Sequence, residues 1–270
     1  AHIALFLIAS RDDPALRRSV TGLAVSTALG VGLLVAAAAA DGLAQGALWG
    51  VALLLDLGGP LLFGADGWLL VPGHFAERHG LIVLIALGES IVAIGVGSGA
   101  IVDAGVVVTA IVGIAVAAAL WWVYFDVSSI GAEHRLREAP TGRVQNELAR
   151  DAYSYLHFPL VAGVVLVALG LKKTLAHHTE SLELVPAVAL VGGATAFLLA
   201  LVAFRLRVVR SVARARLVCG VAVLAIIPLH DRVASLATLA LLAAALIALV
   251  AFEVVRYSTL RSAIRGSGAA

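Results

Sequence analysis

The sequence is poor in charged residues, and this scarcity decides the class of protein. Asp, Glu, Lys and Arg make up 13% of its 270 residues, against roughly 25% in ordinary soluble domains, whereas 61% of the residues are hydrophobic. So few charges cannot cover the surface of a water-soluble globule of this length. The composition therefore predicts a chain that lies in a lipid bilayer.

Cysteine and methionine are also scarce. Cys219 is the single cysteine, which excludes a disulfide framework and a zinc site built from cysteines. Methionine is absent, and the chain begins at Ala1 with the apolar run HIALFLIAS, which is too short to cross a membrane. We therefore expect a fragment that lacks its N-terminal helix. No basic face is interleaved with aromatic residues, so no nucleic-acid partner is predicted, and no cofactor is predicted either.

Long apolar runs fill most of the chain. Eight windows meet the requirement of about twenty mostly apolar residues for a membrane crossing. They are approximately residues 20–40, 45–64, 80–99, 104–127, 153–171, 185–204, 215–230 and 235–255. The windows lack the period-2 alternation of barrel strands. We predict an all-α fold, a polytopic transmembrane helix bundle with about eight full spans plus a truncated N-terminal one at 2–9. Residues 1–260 form a single domain in this interpretation, and 261–270 form a cytoplasmic tail.

The basic residues lie mainly in alternate connections between these spans. One set of connections holds 16 of the 19 basic residues, and the other holds Lys172, Lys173 and Arg232. Because basic residues are retained on the cytoplasmic side, the larger set predicts that side. The expected location is a bacterial plasma membrane, with several crossings and a cytoplasmic C-terminus.

Two carboxylates lie inside predicted spans. Asp56 is near the middle of WGVALLLDLGGPLLFG, and Glu89 is near the middle of GLIVLIALGESIVAIGVG. An ionisable group at mid-bilayer costs at least about 2.5 kcal/mol, which makes each a functional candidate. Gly58, Gly59 and Pro60 follow Asp56 and are expected to loosen or break the helix that carries it. We expect both acids to face one cavity; the alternative is a hydrogen-bonded carboxyl that ties two helices together.

A second polar group is expected at the cytoplasmic ends of the spans. Its candidate ion, proton or substrate-binding residues are Glu77, Arg78, His79, Asp126 and His157. Glu77 and Arg78 are adjacent on a helix and cannot face each other, so we expect Arg78 to pair with Asp126 or Asp56. The spacing of the histidines is not that of a zincin, and no metal site is predicted.

Other residues are expected to have structural roles. Gly88 and Gly95 lie two turns apart and are expected to permit a close helix contact, and Glu253 is expected to snorkel or to pair with Arg256. An interfacial aromatic belt is predicted from Trp121, Trp122, Tyr124, Phe125, Tyr153 and Tyr155.

Three segments resemble a known family. HFAERHGLIVLIALGESIVAIGVG at 74–97, WWVYFDV at 121–127 and YSYLHFPLVAGVV at 153–165 are similar, in this order, to the bacterial low temperature requirement protein A (LtrA) family. The resemblance implies a polytopic bacterial plasma-membrane protein named for growth at low temperature, and it implies no particular molecular activity. Members begin with a further helix bearing an ELFFDLVFV-like segment, so we expect any site in this chain to be incomplete.

Three functions fit these observations. The two acids, with the glycines and the proline beside Asp56, favour translocation of a small solute or ion, coupled to protons, through a cavity lined by Asp56 and Glu89. The second polar group, at the cytoplasmic ends of the spans, would suit an intramembrane lipid-modifying or metal-dependent enzyme. A non-catalytic membrane scaffold or sensor predicts instead that the acids pair with other residues of the protein and leave no open cavity. The lipid bilayer is the partner that all three share.

Overall fold

The computed structural model describes residues 2–63, 66–97 and 103–258, and their regular structure is helical apart from one isolated bridge between Ser181 and Ala234. The predicted all-α fold is confirmed. The predicted tail, 261–270, lies outside the described residues. The α-helices are α1 His2–Ala9, α2 Pro14–Ala37, α3 Gly42–Leu62, α4 Pro72–Gly97, α5 Ala104–Phe125, α6 Ser128–Glu138, α7 Arg143–Leu148, α8 Leu156–Ala176, α9 Leu184–Ala187, α10 Gly193–Val209, α11 Arg214–Ala222 and α12 Ser235–Arg256. Two π-helices, Ala149–Tyr155 and Val188–Gly192, and a 3-10 helix, Val223–Leu229, join consecutive α-helices.

Seven helical segments of the described chain are long and apolar enough to cross a membrane. They correspond to seven of the eight predicted windows. In the remaining window, the nine residues of α11 are followed by the seven residues of the 3-10 helix. With rises of about 1.5 and 2.0 Å per residue, this segment reaches about 28 Å, close to the roughly 30 Å of a hydrocarbon core. Because a 3-10 helix is longer per residue than an α-helix, this segment is nearly long enough for an eighth crossing.

The chain forms two compact units, each of which is described by itself. Unit 1 contains Ala1–Val71 and Glu138–Asp151, and unit 2 contains Pro72–Arg137 and Ala152–Ala270. In unit 1, α2 and α3 pack as an antiparallel pair. The carboxylate of Asp13 accepts hydrogen bonds from the N–H groups of Ala15 and Leu16, so it caps the first turn of α2.

Close helix packing in unit 2 depends on small residues. A Cβ atom built on Gly163 of α8 would lie 2.6 Å from the carbonyl oxygen of Gly193 on α10, and the converse distance is the same. Helices in membranes associate through such close backbone approaches, because lipid offers no hydrophobic driving force between them. The prediction for Gly88 and Gly95 is wrong: a Cβ on either glycine would meet nothing within 4 Å in the described structure.

A buried ion pair joins two helices of unit 2. Both carboxylate oxygens of Glu253 accept hydrogen bonds from Arg216, at 2.7 and 2.8 Å, and Arg216 also donates to Oγ of Ser128 at 2.6 Å. Arg216 and Glu253 are 3% and 5% exposed. The expectation that Glu253 snorkels or pairs with Arg256 is therefore wrong. The bidentate geometry compensates both charges where water does not reach them.

The long connection after α5 is divided as its sequence indicates. α6 ends at Glu138, and α7 begins at Arg143, after Pro140 and Gly142. Gly142 has a φ of 92°, a backbone conformation that favours glycine. On α6, Arg137 forms an ion pair with Glu133 one turn earlier.

Candidate functional site: a cluster of rings and an unpartnered carboxylate

Six aromatic and histidine side chains of unit 2 pack ring against ring near the N-terminal end of α4. They are Phe75 and His79 from α4, Tyr124 from α5, Tyr153 from the first π-helix, His157 from α8 and Phe204 from α10. We call these residues the ring cluster. Phe75 and His79 are half-buried and the other four are buried. The cluster thus joins five helical elements around polar atoms that have little access to solvent.

The π-helix Ala149–Tyr155 positions two of these rings. Pro159 has no N–H to donate to the carbonyl of Tyr155, so a regular α-helical ladder cannot run through this point, and the π-helix ends there. The rings of Tyr153 and His157, four residues apart, are stacked with centroids 5.4 Å apart and planes 9° apart. Short π-helical segments are frequent at functional sites.

Both ring nitrogens of His157 have hydrogen-bond partners. Nδ1 lies 3.2 Å from the carbonyl oxygen of Ala152, which can only accept, so Nδ1 carries the proton. In the neutral ring, Nε2 then accepts a hydrogen bond from the hydroxyl of Tyr124 at 2.8 Å. The backbone and Tyr124 therefore fix both the orientation and the tautomer of His157.

His79 and Tyr153 are less completely satisfied. Nδ1 of His79 donates to the carbonyl of Phe75 at 2.8 Å, which leaves Nε2 as an acceptor without a hydrogen bond in the described part of the chain. The hydroxyl of Tyr153 is buried and also has no partner there. The two rings contact edge to face, with centroids 5.4 Å apart. An acceptor and a donor without partners, on neighbouring rings, are suited to bind a polar ligand or to pass a proton.

Glu77 and Arg78 lie between Phe75 and His79 in the sequence of α4, and their side chains are on the exposed side of the helix. Arg78 donates through Nε to Nε2 of His74 at 2.9 Å, and Nδ1 of His74 lies 3.9 Å from a carboxylate oxygen of Glu77. Among the described residues of unit 2, Arg78 is not paired with Asp126, and a pair with Asp56 stays a prediction. The interaction of Arg78 is local because the i, i+4 spacing brings His74 within its reach.

Asp126 lies at the C-terminal end of α5, where its N–H donates to the carbonyl of Trp122 at 3.0 Å. It is half-buried. It follows Tyr124 by two residues, so the same end of α5 carries Asp126 and one member of the ring cluster.

Glu89 lies on α4 ten residues after His79, about 15 Å further along the helix. Its side chain is exposed and has no hydrogen bond or ion pair with any described residue. The next residue, Ser90, is completely buried, and its hydroxyl is also without a partner. This part of α4 therefore carries two neighbouring polar groups that the described chain does not satisfy.

Asp56 is the corresponding carboxylate of unit 1. It is exposed on α3 and has no hydrogen bond or ion pair within the described ranges. The helix is not broken here, because α3 continues through Pro60 to Leu62. Pro60 nevertheless has no N–H to donate to the carbonyl of Asp56. The predicted cavity shared by Asp56 and Glu89 stays a prediction.

The structure brings together two of the predicted site residues, His79 and His157, whose ring centroids are 5.2 Å apart. It adds Tyr124 and Tyr153, which are buried, so the prediction that these two tyrosines belong to an interfacial belt is wrong. The i, i+4 spacing of Tyr153 and His157 on a helix was the signal for their contact.

No group of three or more His, Cys, Asp or Glu residues that could hold a metal ion occurs in the described chain. The two histidines of the ring cluster alone would not complete a tetrahedral site.

The helices and their polar groups define a helical membrane protein with several spans. Residues 1–251 match the family described as "Bacterial low temperature requirement A protein (LtrA)", and the chain belongs to this family. It is 32% identical over 161 residues to an uncharacterized protein of Rhizobium meliloti (strain 1021). That match covers 56% of this chain and 39% of the relative, so it spans less than half of the relative's length. No solved structure matches the chain.

Proposed function

We propose that this chain takes part in translocating a small solute or ion, coupled to protons, and that Glu89 is the carboxylate that binds the proton or cation. The position of Glu89 carries the proposal. It lies on a helix able to span a membrane, and its carboxylate has no partner among the described residues. A carboxylate is costly inside a bilayer unless it is paired or faces water. A carboxylate that is not paired within the protein is therefore suited to bind and release a ligand.

The ring cluster supports a proton-coupled version of this function. Nε2 of His79 and the hydroxyl of Tyr153 are titratable or hydrogen-bonding groups without recorded partners, on the same helical assembly as Glu89. In the proposal they receive or deliver the proton at the end of the pathway nearer the N-terminus of α4. Asp56 is proposed as a second carboxylate of the pathway, and Glu77, Arg78, Asp126 and His157 are proposed to lie at its mouth.

Reconstituted vesicles test this proposal. Protein in vesicles that contain a pH-sensitive dye is given a potassium diffusion potential, and proton uptake is recorded. We expect Glu89→Gln, which keeps the shape of the side chain but cannot ionise, to reduce uptake to that of protein-free vesicles. Glu183→Gln, which removes an exposed carboxylate at the start of α9, is the matched control and should retain the wild-type rate. Wild-type uptake in Glu89→Gln would contradict the role of Glu89.

The orientation of the chain belongs to the same proposal. The division of 16 against 3 basic residues supports a bacterial plasma-membrane protein with a cytoplasmic C-terminus. Cys219 is first replaced by alanine, and single cysteines are then introduced at Arg210 and His177. A membrane-impermeant thiol reagent applied to intact cells should label position 177 and not position 210. The reverse labelling would invert the orientation.

A lipid-modifying enzyme is a second candidate, and the ring cluster favours it. An unpartnered imidazole nitrogen and an unpartnered phenol are groups that general acid/base catalysis uses. This candidate predicts a new lipid product in phospholipid vesicles that contain the wild-type protein, and its loss in His79→Gln. A scaffold or sensor would have acids that are paired with other residues of the protein. Glu89 has no such partner among the described residues, so its surroundings do not support a scaffold or sensor.

A further inference from the structure

A cavity of about 690 Å³ lies in unit 2 where α5 and α10 end. Residues of α6, the short connection before it and the last turns of α10 line it. α5 alone has 22 residues, enough to cross a hydrocarbon core, so α6 with its charged side chains follows at headgroup level. The volume is in the range of pockets that hold small molecules.

The lining of this cavity is amphipathic. The charged lining consists of Arg135, Arg137, Arg205 and one acid, Glu133, so it is positive in sum. Glu133 is paired with Arg137, and Arg205 donates through Nε to Oγ of Ser211 at 3.0 Å, which leaves its other N–H groups for a ligand. The rest of the wall is mainly apolar and includes Ile130 and Val208. Arginine binds phosphate oxygens with a planar set of N–H donors, whereas an apolar wall of this kind suits hydrocarbon. The combination fits a molecule with a phosphate at one end and an acyl chain at the other.

We propose that this cavity is a binding site for the headgroup of an anionic phospholipid, with the upper part of an acyl chain against Ile130 and Val208. Basic pockets between membrane helices at the headgroup level bind anionic lipids in this way. The proposal does not depend on the proposed translocation, because neither Glu89 nor Asp56 lines the cavity; Phe204 of the ring cluster forms part of its wall.

Lipid titration followed by native mass spectrometry tests the proposal. The purified, delipidated protein is titrated with phosphatidylglycerol, and with phosphatidylcholine as the zwitterionic comparison. We expect one preferred phosphatidylglycerol per chain. The double variant Arg135→Gln/Arg205→Gln should weaken its binding by roughly thirtyfold, since each arginine near an anionic headgroup contributes about a factor of five. Arg207→Gln/Arg214→Gln removes two exposed inner arginines outside the cavity and is the charge-matched control, with little expected change.

A second variant keeps every charge and blocks the space. Gly131 lines the cavity, and a Cβ atom at this position would meet nothing within 4 Å in the described structure. Gly131→Leu should therefore exclude the lipid without disturbing the fold. Equal phosphatidylglycerol binding in this variant and the wild type, or equal binding of the two lipids by the wild type, would overturn the proposal. Displacement of the lipid by millimolar inorganic phosphate would overturn it in favour of a site for free phosphate.

Discussion

Glu253 and Glu89 are both carboxylates on membrane-spanning helices of unit 2, and their surroundings are opposite. Glu253 is buried, and Arg216 binds both of its oxygens. Glu89 is exposed and has no partner within the described residues. A buried charge that is fully paired has fixed neighbours, so it joins helices. A carboxylate without such a pair can exchange its proton or a cation. In the proposed function, this difference separates an acid that joins helices from an acid that binds a ligand.

Breaking the pair of Glu253 should have the largest effect on stability. Glu253→Gln leaves the guanidinium of Arg216 buried without a counter-charge, a change that typically costs about 3–5 kcal/mol. We expect a large loss of thermal stability in detergent, or failure to obtain monodisperse protein. Arg256→Gln, three residues further on, removes an exposed arginine and should change little.

A double variant shows whether the effect belongs to the pair. Arg216→Gln/Glu253→Gln removes both charges and should be less destabilised than the sum of the two single changes. Additive losses would mean that the two side chains do not interact as the structure describes.

The glycines provide the next comparison. Gly163→Ala places a methyl group 2.6 Å from the carbonyl oxygen of Gly193, so α8 and α10 must separate, at a cost of about 1–3 kcal/mol. Gly88→Ala meets open space in the described structure and should stabilise α4 by about 1 kcal/mol through helix propensity. Thermal unfolding should therefore shift in opposite directions. A similar loss in both variants would show that Gly88 is also packed against a neighbour.

The two tyrosines of the ring cluster should differ as well. Tyr124→Phe removes the donor to Nε2 of His157 and should cost about 1 kcal/mol, because a buried acceptor is left unpaired. Tyr153→Phe removes a hydroxyl that has no recorded partner, so stability should be unchanged or higher. Proton uptake in vesicles should nevertheless fall in Tyr153→Phe if this hydroxyl passes a proton. Equal destabilisation in the two variants would indicate a hidden partner for Tyr153.

Local features of the sequence predicted the helices well. Long apolar runs identified the spans, and Pro140 and Gly142 identified the break between α6 and α7. These signals are local because the length of an apolar run and the backbone limits of proline and glycine do not depend on distant residues. The same reasoning identified Glu89 as unusual, since the cost of a charge in a bilayer depends on its depth.

Contacts between helices could not be predicted in this way. Glu253 binds Arg216, 37 positions earlier, and not the nearby Arg256. The spacing of Gly88 and Gly95 shows that they share a face of α4, but spacing cannot show which face meets another helix. For the same reason Tyr124 and Tyr153, which lie near the ends of spans, were interpreted as an aromatic belt although they point into the protein.

The smallest effect on stability is expected for Glu89→Gln, and it completes the comparison with Glu253→Gln. The amide keeps the size of the side chain, and no described residue loses a hydrogen bond or an ion pair. We expect the unfolding temperature in detergent to change by less than about 2 °C, which corresponds to less than about 1 kcal/mol in a protein of this size. The same chemical change on one chain would then destabilise the protein at position 253 and abolish proton uptake at position 89. A loss of stability in Glu89→Gln comparable with that in Glu253→Gln would show that Glu89 also joins helices, and uptake could no longer be attributed to its ionisation.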